Sequence, residues 1–370
     1  MVTLTTAVYS VAVVARGDIA TTLRADVEQL ASHTLESNSF AEPWLLFPAL
    51  EWLDRDRPLV AVAIRAPGGL LVAVFIFVLE KSWRHVPLPS LRTWEHLYCF
   101  LGTPLVHRTH APQAIEAFAL WIESGRGPAH IVDWADLAWA GTFATVLRDC
   151  LARRSWSTDL ATSERALLVR DPSPAIGISG RHAKELRRLE RRLAESGTVT
   201  YRAIAASDDV EPWIKTFLEL ENAGWKGRGA SAIAQQPDHR SFFTQAVRNA
   251  HALGKLQFLQ LDVAGRPIAS KCNFLADHGA YSFKIAFDEQ FAKFSPGVLL
   301  ELYNMRCFAE LDHTIMWMDS CAIPNHPMID RLWIGRRAIA SYTTAGGSWP
   351  AVALVWLLPY LRHLKRRLRG

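Results

Sequence analysis

The sequence predicts an α/β protein of two domains, with mixed and mostly antiparallel sheets flanked by helices. At 370 residues the chain exceeds the roughly 100 to 200 residues of a typical domain. Half of the residues are hydrophobic and 21% are charged, so each domain can fill a core. Strand-like and helix-like apolar patterns also alternate along the chain. We place the domains at residues 1–171 and 172–346, followed by an apolar and basic helix at 347–370.

The first domain is predicted to contain two helices, a hairpin and then a further helix and strand. Helical apolar spacing covers Ile19 to Thr34 and Glu42 to Leu53. Two β-branched runs, Leu59 to Ile64 and Leu70 to Leu79, flank the turn sequence Ala66-Pro67-Gly68-Gly69. No residues here have the spacing of a catalytic site.

The second domain has a more informative order of elements. The predicted order is strand, two helices, three strands, helix, strand, helix and strand. These elements are expected at 199–205, 210–223, 238–252, 256–263, 267–275, 280–288, 298–311, 314–320, 328–334 and 337–342.

One stretch of this domain, Ala280 to Val298, predicts an anion site. Residues Tyr281 to Asp288 alternate apolar and polar side chains, which is typical of a strand with one buried face. After a loop, Ser295-Pro296-Gly297 predicts a helix start in which Ser295 is the N-cap. Such a helix end directs backbone N–H groups and a positive dipole at one point, which suits a pyrophosphate.

Two segments concentrate positive charge. The first is a predicted helix from Ser179 to Gly197, which carries Arg181, Lys184, Arg187, Arg188, Arg191 and Arg192. It is either a solvated connecting helix or a basic wall beside an anionic ligand such as a nucleotide phosphate or an acidic glycan.

The second is the C-terminal tail, where Trp349 to Leu361 is uncharged and Arg362, Lys365, Arg366, Arg367 and Arg369 follow. The apolar run is shorter than the about 20 residues of a spanning helix. It is either an interfacial helix on an anionic membrane or a helix packed on its own domain. Nucleic acid ranks last as a partner because no aromatic residues are interleaved with the charge.

The cysteines and the amino terminus point to the cytosol. Five cysteines lack any CxxC pair or matching histidine spacing, so we expect neither a disulfide framework nor a metal site. The amino terminus lacks the charge layout of a secretory signal. The expected location is cytoplasmic, with peripheral attachment to the inner membrane through the tail as the alternative.

Three motifs resemble one family. Glu219 to Arg228 (ELENAGWKGR), Lys284 to Asp288 (KIAFD) and Ser295-Pro296-Gly297 are similar to the GNAT-like domain of bacterial acetyltransferases linked to cellulose and exopolysaccharide biosynthesis. The resemblance covers roughly Ile176 to Tyr342, and the N-terminal domain is expected to be a degenerate GNAT-like relative. The family is itself similar to Fem-type transferases, which use aminoacyl-tRNA.

The resemblance implies an acyl-CoA co-substrate, held between the strand Tyr281 to Asp288 and the next strand, with no metal. Its pyrophosphate would lie near the helix that starts at Ser295. The expected donor-binding residues are Lys293, Phe294, Ser295, Pro296, Gly297 and Val298. The sequence departs from the common phosphate loop, because only Lys293 and Gly297 supply anything like its basic and glycine residues. The expected acceptor-binding residues are Trp225, Lys226 and Lys284.

Acyl transfer to an amine requires a base, a stabilised oxyanion and a leaving thiolate. Asp319, Glu221 and Asp288 are the candidates for the base, and a structural ion pair or a capping role is the alternative for each. A cysteine nucleophile, Cys272 or Cys321, lacks a paired histidine.

The expected function is therefore acyl transfer from acyl-CoA to an amine or hydroxyl, on a sugar or another cell-envelope or exopolysaccharide precursor. The alternatives are an aminoacyl-tRNA-dependent transferase and a noncatalytic scaffold in polysaccharide assembly.

Overall fold

The structure, a computed structural model, describes residues 8–170 and 180–367, without the side chains of residues 182, 225, 226 and 363–367. The chain forms two compact units. Unit 1 comprises Met1–Leu46, Asp54–Ser163 and Ala338–Gly370, and unit 2 comprises Phe47–Leu53 and Glu164–Arg337.

Unit 1 is a mixed sheet covered by helices. Its strands are β1 (Ser10–Ala15), β2 (Leu59–Arg65), β3 (Leu71–Glu80), β4 (Ser90–Thr93), β5 (Leu105–Val106), β6 (Ile131–Ala138), the first half of β7 (Ser157–Val169) and most of β13 (Gly335–Ala345). The sheet order is β1-β2-β3-β4-β6-β13, in which only the β4 and β6 pair is parallel and β5 pairs with β3. Its helices are α1 (Arg16–Ala31), the start of α2 (Pro43–Trp52), α3 (Ala111–Glu123), α4 (Thr142–Ala152) and α11 (Trp349–Arg367).

The β2 and β3 hairpin has the predicted turn. Gly68 and Gly69 both have positive φ angles, which glycine adopts without steric cost. Aromatic side chains fill the core behind this hairpin, and Phe75 contacts Phe118 and Trp134 in edge-to-face geometry.

Unit 2 contains the elements of the predicted second domain. Its sheet order is β7-β12-β11-β10-β9-β8, with β8 (Val199–Ala203), β9 (Leu256–Val263), β10 (Arg266–Ala276), β11 (Gly279–Phe287) and β12 (Trp317–Asp319). Only the β11 and β12 pair is parallel. The helices are the end of α2, α5 (Gly180–Ala194), α6 (Glu211–Ala223), α7 (Trp225–Arg228), α8 (Pro237–Ala252), α9 (Pro296–Glu310) and α10 (Ile329–Leu332). The predicted α/β class with mixed, mostly antiparallel sheets is confirmed.

The C-terminal segment differs from the expected domain bounds. Residues from Ala338 onward belong to unit 1, whereas we expected the second domain to continue to residue 346. The physical reason is strand pairing, because residues Ile339 to Ala345 of β13 form an antiparallel ladder with β6. In α11, Ala351, Val355 and Leu358 then pack against Trp83.

A pair of carboxyl groups in unit 1 predicts a pH dependence. Burial, with the neighbouring Asp136 carboxylate, raises the pKa of Glu95 from 4.5 to about 7. The folded protein therefore holds a proton that the unfolded chain releases between those two pH values. The contribution of protonated Glu95 to the stability of the folded state is fully present below about pH 4.5 and is lost as the pH rises through about 7.

We expect Glu95→Gln to raise the free energy of unfolding of unit 1 by about 1–3 kcal/mol at alkaline pH, with almost no gain in acid. Denaturant unfolding of the wild type and the variant, in acid and at alkaline pH, measures the difference in the free energy of unfolding. Glu28→Gln, an exposed carboxylate on α1, is the control. An equal effect of Glu95→Gln at both pH values would contradict the prediction.

Candidate active site

The central strand of unit 2 contains an irregularity that the sequence did not reveal. Cys272 of β10 pairs with Lys284, but Phe274 pairs with Tyr281. Two residues of β11, Ser282 and Phe283, therefore lie opposite the one intervening residue of β10, Asn273. This is a β-bulge, which bends a strand and redirects its side chains. Strand β11 pairs with β12 only over Gly279 to Tyr281 and continues beyond that pairing to Phe287.

The bulge changes the predicted alternation of this strand. Phe283 stacks on Phe243 of α8, with ring centroids 6.3 Å apart, while Ile285 and Phe287 pack with the cluster that contains Leu299 of α9. The expectation that all four apolar residues of β11 share one face is therefore corrected. Lys284 lies beside Phe283, with its Nζ atom 5.6 Å from the ring centroid.

The α9 helix begins where the sequence predicts, but Ser295 does not cap it with its side chain. Ser295 occupies the N-cap position in the left-handed conformation, with φ 54° and ψ 51°, and makes no side-chain capping bond. Instead its carbonyl accepts from the N–H groups of Val298 and Leu299. The predicted side-chain cap is therefore corrected, because the preceding 3-10 turn Glu289–Phe294 ends in a left-handed residue.

The other expected donor-binding residues surround this helix start. Pro296 and Gly297 are buried, Val298 is half-buried, and Phe294 is buried beneath the turn. Lys293 is exposed, and its Nζ atom lies 4.9 Å from the Phe294 ring centroid. A lysine and a helix N-terminus without a bulky side chain at Gly297 are a combination that can hold a phosphate.

The first and second motifs meet in unit 2. Arg228 of α7 forms an ion pair with Glu289, which follows β11, at 2.7 Å. Gly227 fits this junction because a Cβ atom there would lie 1.7 Å from the carbonyl oxygen of Asn222. The backbone of Trp225 and Lys226 lies in α7, and their side chains are outside the part of the structure that is described.

Glu221 is buried at the end of α6, immediately before this junction. Its Oε2 atom accepts a hydrogen bond of 2.9 Å from the backbone N–H of Ile233. The carboxylate therefore holds the loop that follows α7 against α6.

Asp288 is placed at the other side of the junction. Its Oδ1 atom caps the 3-10 turn through the N–H of Gln290, and its Oδ2 atom accepts from Arg266 at 2.6 Å. This geometry favours the capping and ion-pair role that was the alternative to a catalytic one.

Asp319 lies at the end of β12 and is fully buried. Arg165 contacts both carboxylate oxygens at 2.6 and 2.8 Å, and Arg337 contacts Oδ2 at 3.0 Å. The N–H of Cys321 donates to Oδ1. Because these donors occupy the lone pairs of both oxygens, the geometry favours a structural ion pair over a proton acceptor at Asp319.

Sequence reasoning missed a buried polar cluster between the sheet and α9. Lys271 of β10 forms an ion pair with Glu301 of α9 at 2.9 Å and donates to Ser282 of the bulge at 2.6 Å. Asn304 donates to Glu301 and accepts from Asn273 of β10. A signal was present in the sequence at Glu301, because this residue interrupts the apolar run from Val298 to Leu302.

This cluster connects the parts of the candidate site. Lys271 and Glu301 are 1% and 0% exposed, so their charges are held away from water. A buried pair with good hydrogen bonds tolerates little displacement. The contacts therefore fix the bulge of β11 in register with α9, whose N-terminus is the candidate phosphate site.

An apolar cleft of about 500 Å³ lies between α5, α9 and the end of β7. Leu299, Leu302 and Phe308 of α9 line it, and Arg187 and Arg306 are at its rim. Its size and lining can hold an apolar group such as an acyl chain.

The cysteines of this unit are unsuited to nucleophilic chemistry. Burial raises the pKa of both the Cys272 and the Cys321 thiols, and for Cys321 the neighbouring Asp319 carboxylate raises it further. A thiol that stays protonated is a poor nucleophile. Within residues 8–170 and 180–367, no group of three or more His, Cys, Asp or Glu residues is arranged to hold a metal ion.

Comparisons with known proteins show likenesses of fold. No curated protein matches the chain. The solved structure of L-PGS from Bacillus licheniformis is similar over 90% of this chain and 95% of its own, with a TM-score of 0.52 and 14% identity. FemX is similar over 85% of this chain and 95% of its own, with a TM-score of 0.51 and 12% identity.

A tandem GNAT protein from the clavulanic acid biosynthesis pathway matches over 92% of this chain and 99% of its own, with a TM-score of 0.42 and 15% identity. The family model described as "Acetyltransferase (GNAT) domain" matches residues 180–320, which contain all three motifs and the buried cluster. Residues 180–320 of this chain therefore form a GNAT acetyltransferase domain.

Proposed function

We propose that unit 2 transfers an acyl group from acyl-CoA to an amine or hydroxyl acceptor, on a sugar or another cell-envelope or exopolysaccharide precursor. The observation that carries the proposal is the meeting of α7 and the end of β11 at the Arg228 and Glu289 ion pair, close in sequence to the start of α9. The match of residues 180–320 to the GNAT domain supports the reaction class.

In this proposal the donor pyrophosphate lies at the first turn of α9, near Lys293 and Gly297. The dipole of α9 and the lysine charge both favour a phosphate there. The acceptor lies on the side of Lys284 and the α7 segment that contains Trp225 and Lys226.

The chemistry requires one proton transfer and one exchange of bonds. The acceptor nitrogen or oxygen attacks the thioester carbonyl carbon, the carbon–sulfur bond breaks, and the thiolate takes up the proton that the acceptor loses. Of the three carboxylates, Glu221 is the proposed base, because it precedes the acceptor segment directly. Asp288 and Asp319 are assigned to holding the site, through Arg266 and through Arg165 with Arg337.

The basic helix α5 favours a second candidate, transfer from aminoacyl-tRNA. Its basic residues are exposed. They are Arg181, Lys184, Arg187, Arg188, Arg191 and Arg192. The likeness to FemX and L-PGS is a likeness of fold, and it is compatible with either donor.

Calorimetric titration of the full chain distinguishes the candidates. We expect acetyl-CoA or a longer acyl-CoA to bind with a Kd on the order of micromolar and a weak dependence on salt. Binding of charged tRNA alone, with affinity that falls steeply as salt rises, would replace acyl-CoA with aminoacyl-tRNA. The absence of binding by every donor would overturn both and favour a noncatalytic scaffold. Membrane attachment is a separate proposal that depends on α11.

A further inference from the structure

The C-terminal helix α11 has two unlike faces. Ala351, Val355 and Leu358 are buried in a cluster with Trp83 and Ile131 of unit 1. The opposite face carries large apolar side chains that remain exposed to solvent. They are Trp349, Trp356, Leu357, Tyr360 and Leu361. One face of this segment therefore packs on its own unit, which is one of the two predicted alternatives, and the opposite face is exposed to solvent.

The exposed face is rich in the residues that prefer a membrane interface. Trp349 is 81% exposed, Trp356 is 57% exposed and Tyr360 is 60% exposed. The ring centroids of Trp356 and Tyr360 are 5.2 Å apart. At 3.6 residues per turn, these three residues fall within one narrow stripe of the helix. Trp and Tyr suit the boundary between headgroups and acyl chains because each has an apolar body and a polar tip.

Positive charge is close to α11 in the fold and in the sequence. The turn that contains Trp83 packs beside α11 and carries Lys81 and Arg84, which are both exposed. After Arg362, which pairs with Asp159, the sequence adds further basic residues and no acid. They are Lys365, Arg366, Arg367 and Arg369. No described helix is long and apolar enough to cross a membrane.

We infer that the outer face of α11 binds the surface of an anionic phospholipid membrane. The aromatic stripe enters the interface with the helix axis parallel to the membrane plane, and the positive charge of this region attracts anionic headgroups. The charge favours an anionic bilayer over a second copy of this chain, which would bring two basic tails together.

Flotation of the full chain with vesicles tests this inference. The vesicles contain phosphatidylcholine alone or with about one third phosphatidylglycerol. We expect recovery with the anionic vesicles, at least about tenfold weaker binding to the neutral ones, and release in about 0.5 M NaCl. Trp356→Ala/Tyr360→Ala should weaken binding about tenfold. The control Leu253→Ala/Ile323→Ala, which removes exposed apolar residues elsewhere, should not weaken it.

Thermal unfolding checks that each variant stays folded, and Leu357→Asn/Leu361→Asn provides a second test of the same face. The inference is overturned if wild type does not float with anionic vesicles, or if both outer-face variants bind as wild type does. It is also overturned if sedimentation shows a dimer that Trp356→Ala/Tyr360→Ala dissociates while no vesicles are bound, because the face would then be occupied by a second copy.

Discussion

Replacing Asp319 by Asn is expected to lower the free energy of unfolding of unit 2 by about 3–5 kcal/mol. Arg165 and Arg337 have side chains only 7% and 13% exposed, and both direct guanidinium N–H groups at this carboxylate. The amide that replaces it carries no charge, so two largely buried positive charges lose their counter-ion. Denaturant unfolding, followed by circular dichroism, measures the loss.

The matched control is Asp277→Asn. Asp277 pairs with Lys255 at 3.8 Å and its side chain is 45% exposed, so its removal should cost less than about 1 kcal/mol. A folded Asp319→Asn protein of unchanged stability that binds acyl-CoA but turns over far more slowly would contradict the structural assignment. It would make Asp319 the base instead.

The second large effect is expected at the buried pair of Lys271 and Glu301. Lys271→Met should lower the free energy of unfolding by about 3–5 kcal/mol, because it leaves the Glu301 carboxylate buried without its cation. The double variant Lys271→Met/Glu301→Met should recover most of that stability, since two apolar side chains of similar size can replace a buried pair. A double-mutant cycle measures both values.

The same double variant separates stability from site geometry. Without Lys271, Ser282 loses the hydrogen bond that ties the β11 bulge to the α9 side of the sheet. We therefore expect the double variant to be folded but to bind acyl-CoA at least about tenfold more weakly. Wild-type binding by the stable double variant would show that the cluster does not position the site.

Local patterns predicted much of unit 2, because its helices and hairpins are encoded by nearby residues. The helix expected at 238–252, the strands expected at 256–263 and 267–275 and the helix start expected at Ser295-Pro296-Gly297 correspond to α8, β9, β10 and α9. The bulge at Ser282 and Phe283 could not be predicted, because it is defined by which residues of β10 face β11. Strand register depends on contacts between residues distant in sequence.

The ion-pair partners of the candidate acids could not be predicted from the sequence, for the same reason. Arg165 is 154 residues from Asp319 in sequence, and the pattern around each residue gives no sign of the other. The assignment of most of β13 to unit 1 likewise depends on its antiparallel ladder with β6, which lies about 200 residues earlier in the chain. Glu301 was the exception, since a charge within an apolar run signals a buried partner.

The central proposal is that the start of α9 holds the donor pyrophosphate. Its most direct test is calorimetric titration of two variants of Gly297 with CoA. At Gly297 a Cβ atom would lie 3.4 Å from Phe287, so Gly297→Ala should fit and change the Kd by less than about threefold. Gly297→Asp adds a negative charge within the first turn of α9, next to Phe287, and should weaken CoA binding about 100-fold in a variant that thermal unfolding shows to be folded. Equal affinity of Gly297→Asp and Gly297→Ala for CoA would contradict the claim.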